Sequence, residues 1–239
     1  MSLTFEAILA VDIGGTGLKA ALIDRRGQML TERVRVETPH PSPPKAIVKM
    51  LGVLVGPLLA DPRVGAVSVG FPGIVHHGRI LTAPNLGTDV WHGFPLAATL
   101  EKEWKKPVRV VNDADMQGLG AASGKGIEMV ITLGTGFGTA ILLDGELAPH
   151  LELAHHPFRK GKTYEEELGD VARRESGKKK WNKHVGEAIE LLHRLTNFDR
   201  LYIGGGNAKK LDIELSPNVK IVGNEAGVKG GAKLWAKVP

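Results

Sequence analysis

Apolar residues along this chain fall into short blocks separated by glycines, prolines and charges, a spacing that predicts alternating short strands and helices. Ala7 to Asp12, Leu18 to Ile23 and Gln28 to Glu37 are each rich in Ile, Val or Leu and bounded by turn-forming or charged residues, so three strands are expected. The turns between them are short, which gives a meander and not the strand, helix, strand order that opens a dinucleotide-binding domain. Ser42, Pro43 and Pro44 then start a helix whose expected apolar face is Ile47, Met50, Leu51, Leu54 and Leu58. Val64 to Val69 and Val108 to Val111 predict strands buried on both sides.

The second half opens like the first. Glu128 to Leu133 and Phe137 to Leu143 flank another glycine turn, and a charged stretch follows from Arg159 to Lys183. Val185, Ala188, Ile189, Leu192 and Leu195 mark one helical face, Leu201 to Ile203 and Val219 to Val222 predict strands, and Ala226 to Trp235 predicts a closing helix. Two halves that each begin strand, glycine turn, strand imply an internally duplicated α/β fold with a cleft between them.

Composition narrows the chemistry. The chain has 239 residues, 42% of them hydrophobic, enough for one large or two small cores. It contains no cysteine, which excludes disulfides, thiolate nucleophiles and thiolate zinc sites. No basic segment precedes an apolar run at the start, and the longest apolar stretch, Leu51 to Ala60, is too short to span a bilayer, so a cytoplasmic protein without a membrane partner is expected. The net charge of +5 favours anionic partners, but no interleaving of aromatic and basic residues supports nucleic acid, and none is expected as a partner.

Three segments carry candidate chemistry. Asp12-Ile13-Gly14-Gly15-Thr16-Gly17 closes the first strand, and its glycines let backbone N–H groups converge on a phosphate without a Cβ in the way. A tight hairpin would need the same residues, but Gly134-Thr135-Gly136-Phe137-Gly138-Thr139 repeats the pattern in the second half, so that two turns could grip one polyphosphate. Neither is a P-loop, because no Gly-Lys-Ser/Thr follows at the required spacing. Between them Asn112-Asp113-Ala114-Asp115 ends a buried strand, where a carboxylate can serve as base to a hydroxyl or cap the helix that follows.

The ordered set resembles the ROK sugar kinases: Asp12 to Thr16, Gly70-Phe71-Pro72-Gly73, Pro84-Asn85-Leu86, Asn112 to Asp115, Leu133 to Gly136 and Glu152-Leu153-Ala154-His155. Within that family it is most similar to the polyphosphate-using glucokinase branch, which also has near equivalents of Gly204-Gly205-Gly206 and Asn224-Glu225-Ala226-Gly227. The resemblance implies an actin-like ATPase (ribonuclease H-like) fold of two α/β lobes, residues 1–113 and 114–225, with the helix at 226–239 packing back on the first. It also implies that Asp113 is the general base on a hexose 6-hydroxyl, glucose above all, and that Asn85, Asn112, Glu152 and His155 hold the sugar's other hydroxyls. Gly14, Gly15, Thr16, Gly134, Thr135 and Gly136 would bind donor phosphates, Gly204 and Gly205 would line the far end of the donor site, and Asp12 would hold Mg2+ through water. Dimers are common in the family, so a homodimer is expected.

Most members position the sugar-binding histidine with a cysteine-rich zinc site, which this chain lacks, as the polyphosphate branch does. No zinc is therefore expected, and polyphosphate, ATP or both remain as donors. Ala154 replaces the glycine usual before the histidine, and of His155 and His156 only one would face the site if both lie on a strand. Nine cations between Arg159 and Lys183, against five anions, would suit a track for polyphosphate or simply a solvated face. A catalytically silent sugar-binding protein and a hexose kinase using ATP alone are the other readings. A sugar-sensing repressor would need a helix-turn-helix domain before Asp12.

Overall fold

The computed structural model describes residues 5–223 and 225–236; Asn224 and residues 237–239, which fall in the segments read above as a motif and as a closing helix, lie outside them. The chain divides into two compact units, Met1–Met116 with Val228–Pro239, and Gln117–Gly227.

The first unit is built on β1 (Ala7–Ile13), β2 (Leu18–Asp24), β3 (Val34–Val36), α1 (Pro44–Leu59), β4 (Val64–Phe71) and β5 (Val108–Asn112), which leads directly into α2 (Asp113–Ala121). The strands form one five-stranded sheet in the order β3-β2-β1-β4-β5. β1 pairs antiparallel with β2 and parallel with β4, so hairpin and crossover connections meet on the central strand. One face of the sheet, with Leu9, Val11, Leu18 and Leu22, buries Ile47, Val48, Leu51 and Val55 of α1. Met50, Leu54 and Leu58 are only partly buried, so the helix turns a slightly different face inward than its spacing suggested. The other face, with Ile8 and Ile23, packs against Ala232 and Trp235, and the Trp235 indole donates to Ser68 Oγ, which donates in turn to the Gly231 carbonyl.

The expected strand from Gln28 to Glu37 is a correction. Only Val34–Val36 pairs as a strand, with one isolated bridge between Ile23 and Met29. The reason is local: the Leu22 amide donates its hydrogen bond to the Thr31 side chain, Thr31 Oγ1, where a continuing ladder would need a backbone carbonyl.

The second unit repeats the design with β6 (Ile127–Leu133), β7 (Phe137–Leu143), β8 (Glu146–Leu147), α3 (Lys178–Thr196), β9 (Arg200–Gly204) and β10 (Val219–Ile221); α4 (Glu225–Lys233) follows, and from Val228 on it belongs to the first unit. Its sheet runs β8-β7-β6-β9-β10, the same connectivity in the same order. Trp181, Val185, Ala188 and Leu192 of α3 pack on Met129, Ile131, Leu201 and Ile203. Leu195, expected on that face, lies in the last turn and is 62% exposed. Among the described residues no helix is long and apolar enough to cross a membrane.

Candidate active site

In the first unit, β1 and β2 are joined by the glycine turn, which is closed by a hydrogen bond from the Gly14 amide to the Gly17 carbonyl at 3.0 Å. Thr38 Oγ1 fixes it from outside by donating to the Gly14 carbonyl at 2.5 Å. Among the described residues the amides of Gly15, Thr16 and Gly17 make no hydrogen bond, which leaves three adjacent backbone donors available to an anion. Gly15 also has a steric reason to be glycine: a Cβ there would stand 3.0 Å from the Asn85 Cβ, so the turn and the loop carrying Asn85 meet.

Cross-strand register sets a row of side chains beside this turn. Asp12 pairs with Lys19, Lys19 with Arg35, and on the other side Asp12 with Gly70. Lys19 Nζ donates to Asp12 Oδ2 at 2.9 Å. β4 and β5 run parallel beyond, and the Asp113 Cα lies against bare Gly70, 3.8 Å from where its Cβ would stand. Asp113 itself is exposed, at the point where β5 becomes α2. One edge of one sheet therefore gathers Arg35, Lys19, Asp12 and Asp113.

The sequence left Asp113 or Asp115 as the cap of α2, whereas the first-turn amides of Ala114 and Asp115 both find Asn112 Oδ1, at 2.7 and 3.3 Å. Asn112 Nδ2 donates to the Gly73 carbonyl at 3.1 Å. A buried amide satisfied at both ends is rigid, and it fixes the strand end from which Asp113 projects. Asp113 Oδ1 also lies 2.9 Å from the Ala114 amide.

Asp12 suits a magnesium ion held through water. It is a single exposed carboxylate, one oxygen shared with Lys19, and no group of three or more His, Asp or Glu able to cage a metal occurs among the described residues. Magnesium characteristically keeps several waters and needs only one or two carboxylates beside substrate phosphates.

In the second unit the Gly134 amide closes its turn on the Gly136 carbonyl at 3.1 Å. Asn207 Nδ2 donates to the Gly134 carbonyl at 3.2 Å and to Asp170 Oδ1 at 3.1 Å, and the Asp170 amide donates to the Thr135 carbonyl at 3.3 Å. A Cβ at Gly136 would collide with the Glu165 carboxylate. Gly205, with φ +87°, occupies left-handed backbone packed on Leu133, and Gly204 packs against Gln117.

Glu152 and His155 share a loop in this unit. Burial pushes the Glu152 carboxyl up, but its interaction with His150, whose Nε2 lies 3.7 Å from Oε2, the Ala154 amide and His155 together hold it below the usual value. His150 went unnoticed in the sequence, where nothing but its position two residues before Glu152 marks it. His155 and His156 are both exposed and stand in a turn closed by the His156 amide on the Leu153 carbonyl, so the strand alternation argued for them does not apply.

Five of the nine cations in the basic run pair with carboxylates. Arg159 pairs with Glu167 and Glu187, Lys162 with Glu167, Arg173 and Arg174 with Asp170, and Lys178 with Asp212. Lys160, Lys179, Lys180 and Lys183 have no carboxylate within ion-pairing reach among the described residues.

Known proteins are similar to this chain in sequence and fold. The sequence profile of the ROK family matches residues 8–150. The polyphosphate glucokinase of Mycobacterium tuberculosis is 30% identical over 239 residues, covering 93% of this chain and 88% of that protein. The crystal structure of an inorganic polyphosphate/ATP-glucomannokinase from Arthrobacter sp. strain KM matches with a TM-score of 0.85 at 33% identity, over 97% of this chain and 98% of that one. A ROK family glucokinase from Streptomyces griseus, solved in complex with glucose and AMPPNP, shares the fold with a TM-score of 0.77 at 21% identity, over 95% and 98% of the two chains.

Proposed function

The chain belongs to the ROK family, and from that premise we propose that it is a sugar kinase moving a phosphoryl group from inorganic polyphosphate or ATP to the 6-hydroxyl of glucose. The relatives named for polyphosphate glucokinase and polyphosphate/ATP-glucomannokinase activity support the substrate class, with mannose as the alternative acceptor to test. The observation that carries the reading is the single sheet edge of the first unit, where an exposed carboxylate, Asp113, stands beside Gly70, whose register partner is Asp12, next to a turn of unbonded amides.

The chemistry follows from those residues. Phosphoryl transfer to an alcohol needs the hydroxyl proton removed as the new P–O bond forms and the donor phosphates held in line. Asp113 takes the proton, with its backbone fixed by the Asn112 cap. Asn85, Glu152 and His155 hold the remaining hydroxyls, together with the amide hydrogen of Asn112 not given to Gly73. Glu152 accepts from hydroxyls because its ionised form is favoured at neutral pH. The amides of Gly15, Thr16 and Gly17, and those of Thr135 and Gly136, receive donor phosphates. Mg2+ at Asp12, when bound, neutralises charge on the phosphate oxygens.

Asp113→Asn tests this reading. Turnover should fall by ~10²–10⁴, the range for losing a positioned general base, with glucose affinity retained. Near-normal turnover in the folded variant removes Asp113 from the mechanism.

A further inference from the structure

Of the charged row beside the glycine turn, Asp12 and Asp113 have proposed roles and Lys19 pairs with Asp12, which leaves Arg35. It lies at the edge of the sheet on β3, its side chain opposite to Val34 and Val36, which pack on the core. Its guanidinium rests against Gly17: a Cβ there would stand 3.0 Å from Nε, 3.3 Å from Nη2 and 3.5 Å from Cζ. Gly17 has no positive φ to require glycine, so the bare Cα serves to admit the guanidinium.

The charge pattern is unusual for a sheet. Lys19 and Arg35 are register partners on neighbouring antiparallel strands, and like charges directly opposite are unfavourable. Asp12 answers Lys19 at 2.9 Å, but no carboxylate lies within ion-pairing reach of Arg35 among the described residues, although Glu32 and Glu37 flank it in sequence. An unanswered guanidinium held against a turn whose amides of Gly15, Thr16 and Gly17 are unbonded makes a site with a planar fork on one side and backbone donors on the other.

We propose that Arg35 is a donor-binding residue: it grips a phosphate of the polyanionic donor other than the one transferred, by a forked, charge-assisted contact. The proposal rests on the kinase reading and deepens it. It adds to the Arg159–Lys183 run, five of whose nine cations are paired, a basic contact for a phosphate chain at the edge of the first unit's sheet. A longer polyphosphate has more phosphates to offer this contact than ATP has, so Arg35 should matter more for the former.

The test is calorimetric binding of inorganic tripolyphosphate with Mg2+ at low salt, which needs no turnover. Arg35→Gln should weaken binding roughly tenfold, in keeping with loss of one charge-assisted hydrogen-bonding group, and Arg35→Lys should recover part of it. Gly17→Ala, which displaces the guanidinium without removing it, should weaken binding as well. Glucose affinity and thermal midpoint should stay unchanged in all three variants. Equal tripolyphosphate affinity in wild type and Arg35→Gln, or no binding by wild type, overturns the proposal. Binding that depends on Arg35 in a protein forming no sugar phosphate keeps the anion contact and removes the kinase reading.

Discussion

The two sheets have the same strand order, yet they place charge at opposite ends of their central hairpins. At the turn end of the first, Asp12 and Lys19 are register partners, with Arg35 beyond; at the same place in the second, Thr132 faces Gly138 and accepts that residue's amide hydrogen bond at 3.1 Å. Away from the turn the relation reverses. Ile8 pairs with Ile23 in an apolar face covered by Ala232 and Trp235, whereas Glu128 pairs with Leu142 and is fully buried. The two units share a strand order and differ in their side chains, so that ionic chemistry gathers at the first turn and structural polarity is buried in the second unit.

Breaking the first charge cluster should have the largest effect. Asp12→Asn removes the carboxylate proposed to hold magnesium through water, and kcat/KM should fall about 100-fold, the upper range for losing an outer partner of a metal. Much of that loss should be recoverable with excess Mg2+ in a steady-state assay. An Asp12→Asn enzyme with the wild-type dependence on Mg2+ would remove that role.

The buried cluster of the second unit comes next. Glu128 Oε1 accepts from the Ser123 amide, Ser123 Oγ and Tyr202 Oη at 2.8 to 2.9 Å, and Oε2 accepts from the Gly124 amide at 2.7 Å and the Lys125 amide at 3.3 Å. Burial pushes this carboxyl up, and those donors more than offset it, so that the group titrates below its ordinary value of 4.5. Glu128→Gln turns one acceptor into a donor facing other donors and should cost about 1–3 kcal/mol in urea unfolding. Since the folded group has the lowered pKa, the ionised form's contribution is complete above the ordinary value of 4.5 and is lost as pH falls through the folded one. The stability gap between wild type and Glu128→Gln should therefore shrink in acid, and a gap independent of pH would contradict the assignment.

The smallest effect belongs to the counterpart of Asp12. Thr132→Val, which removes only one neutral hydrogen bond to Gly138, should cost about 1 kcal/mol of stability and leave kcat within about twofold. A loss of turnover comparable to that of Asp12→Asn would mean the two turns are not differentiated as described.

The strands of both hairpins were legible because Ile, Val and Leu blocks end abruptly at glycine turns, and the repeat of that pattern exposed the duplication. The Gln28 to Glu37 segment has strand-like composition, but a hydrogen bond from the Leu22 amide to the Thr31 side chain interrupts pairing, which periodicity cannot register. Leu195 fits the helical period yet lies in the exposed last turn. The Asp12 to Thr16 and Asn112 to Asp115 motifs were legible because their residues are contiguous. Arg35 and His150 were not, since their relation to Gly17 and Glu152 depends on sheet register and loop path. Glu128 read as an ordinary polar strand residue because its donors come from Ser123, Gly124, Lys125 and a distant Tyr202.

The central claim, that this protein phosphorylates a hexose, is tested most directly by supplying the wild-type protein with Mg2+, glucose or mannose, and either polyphosphate or ATP, and following the products by phosphorus NMR. The account predicts a hexose 6-phosphate resonance with glucose and polyphosphate that grows in proportion to enzyme and vanishes on magnesium chelation. The absence of any sugar phosphate from all four combinations, in a protein shown to be folded, would contradict it.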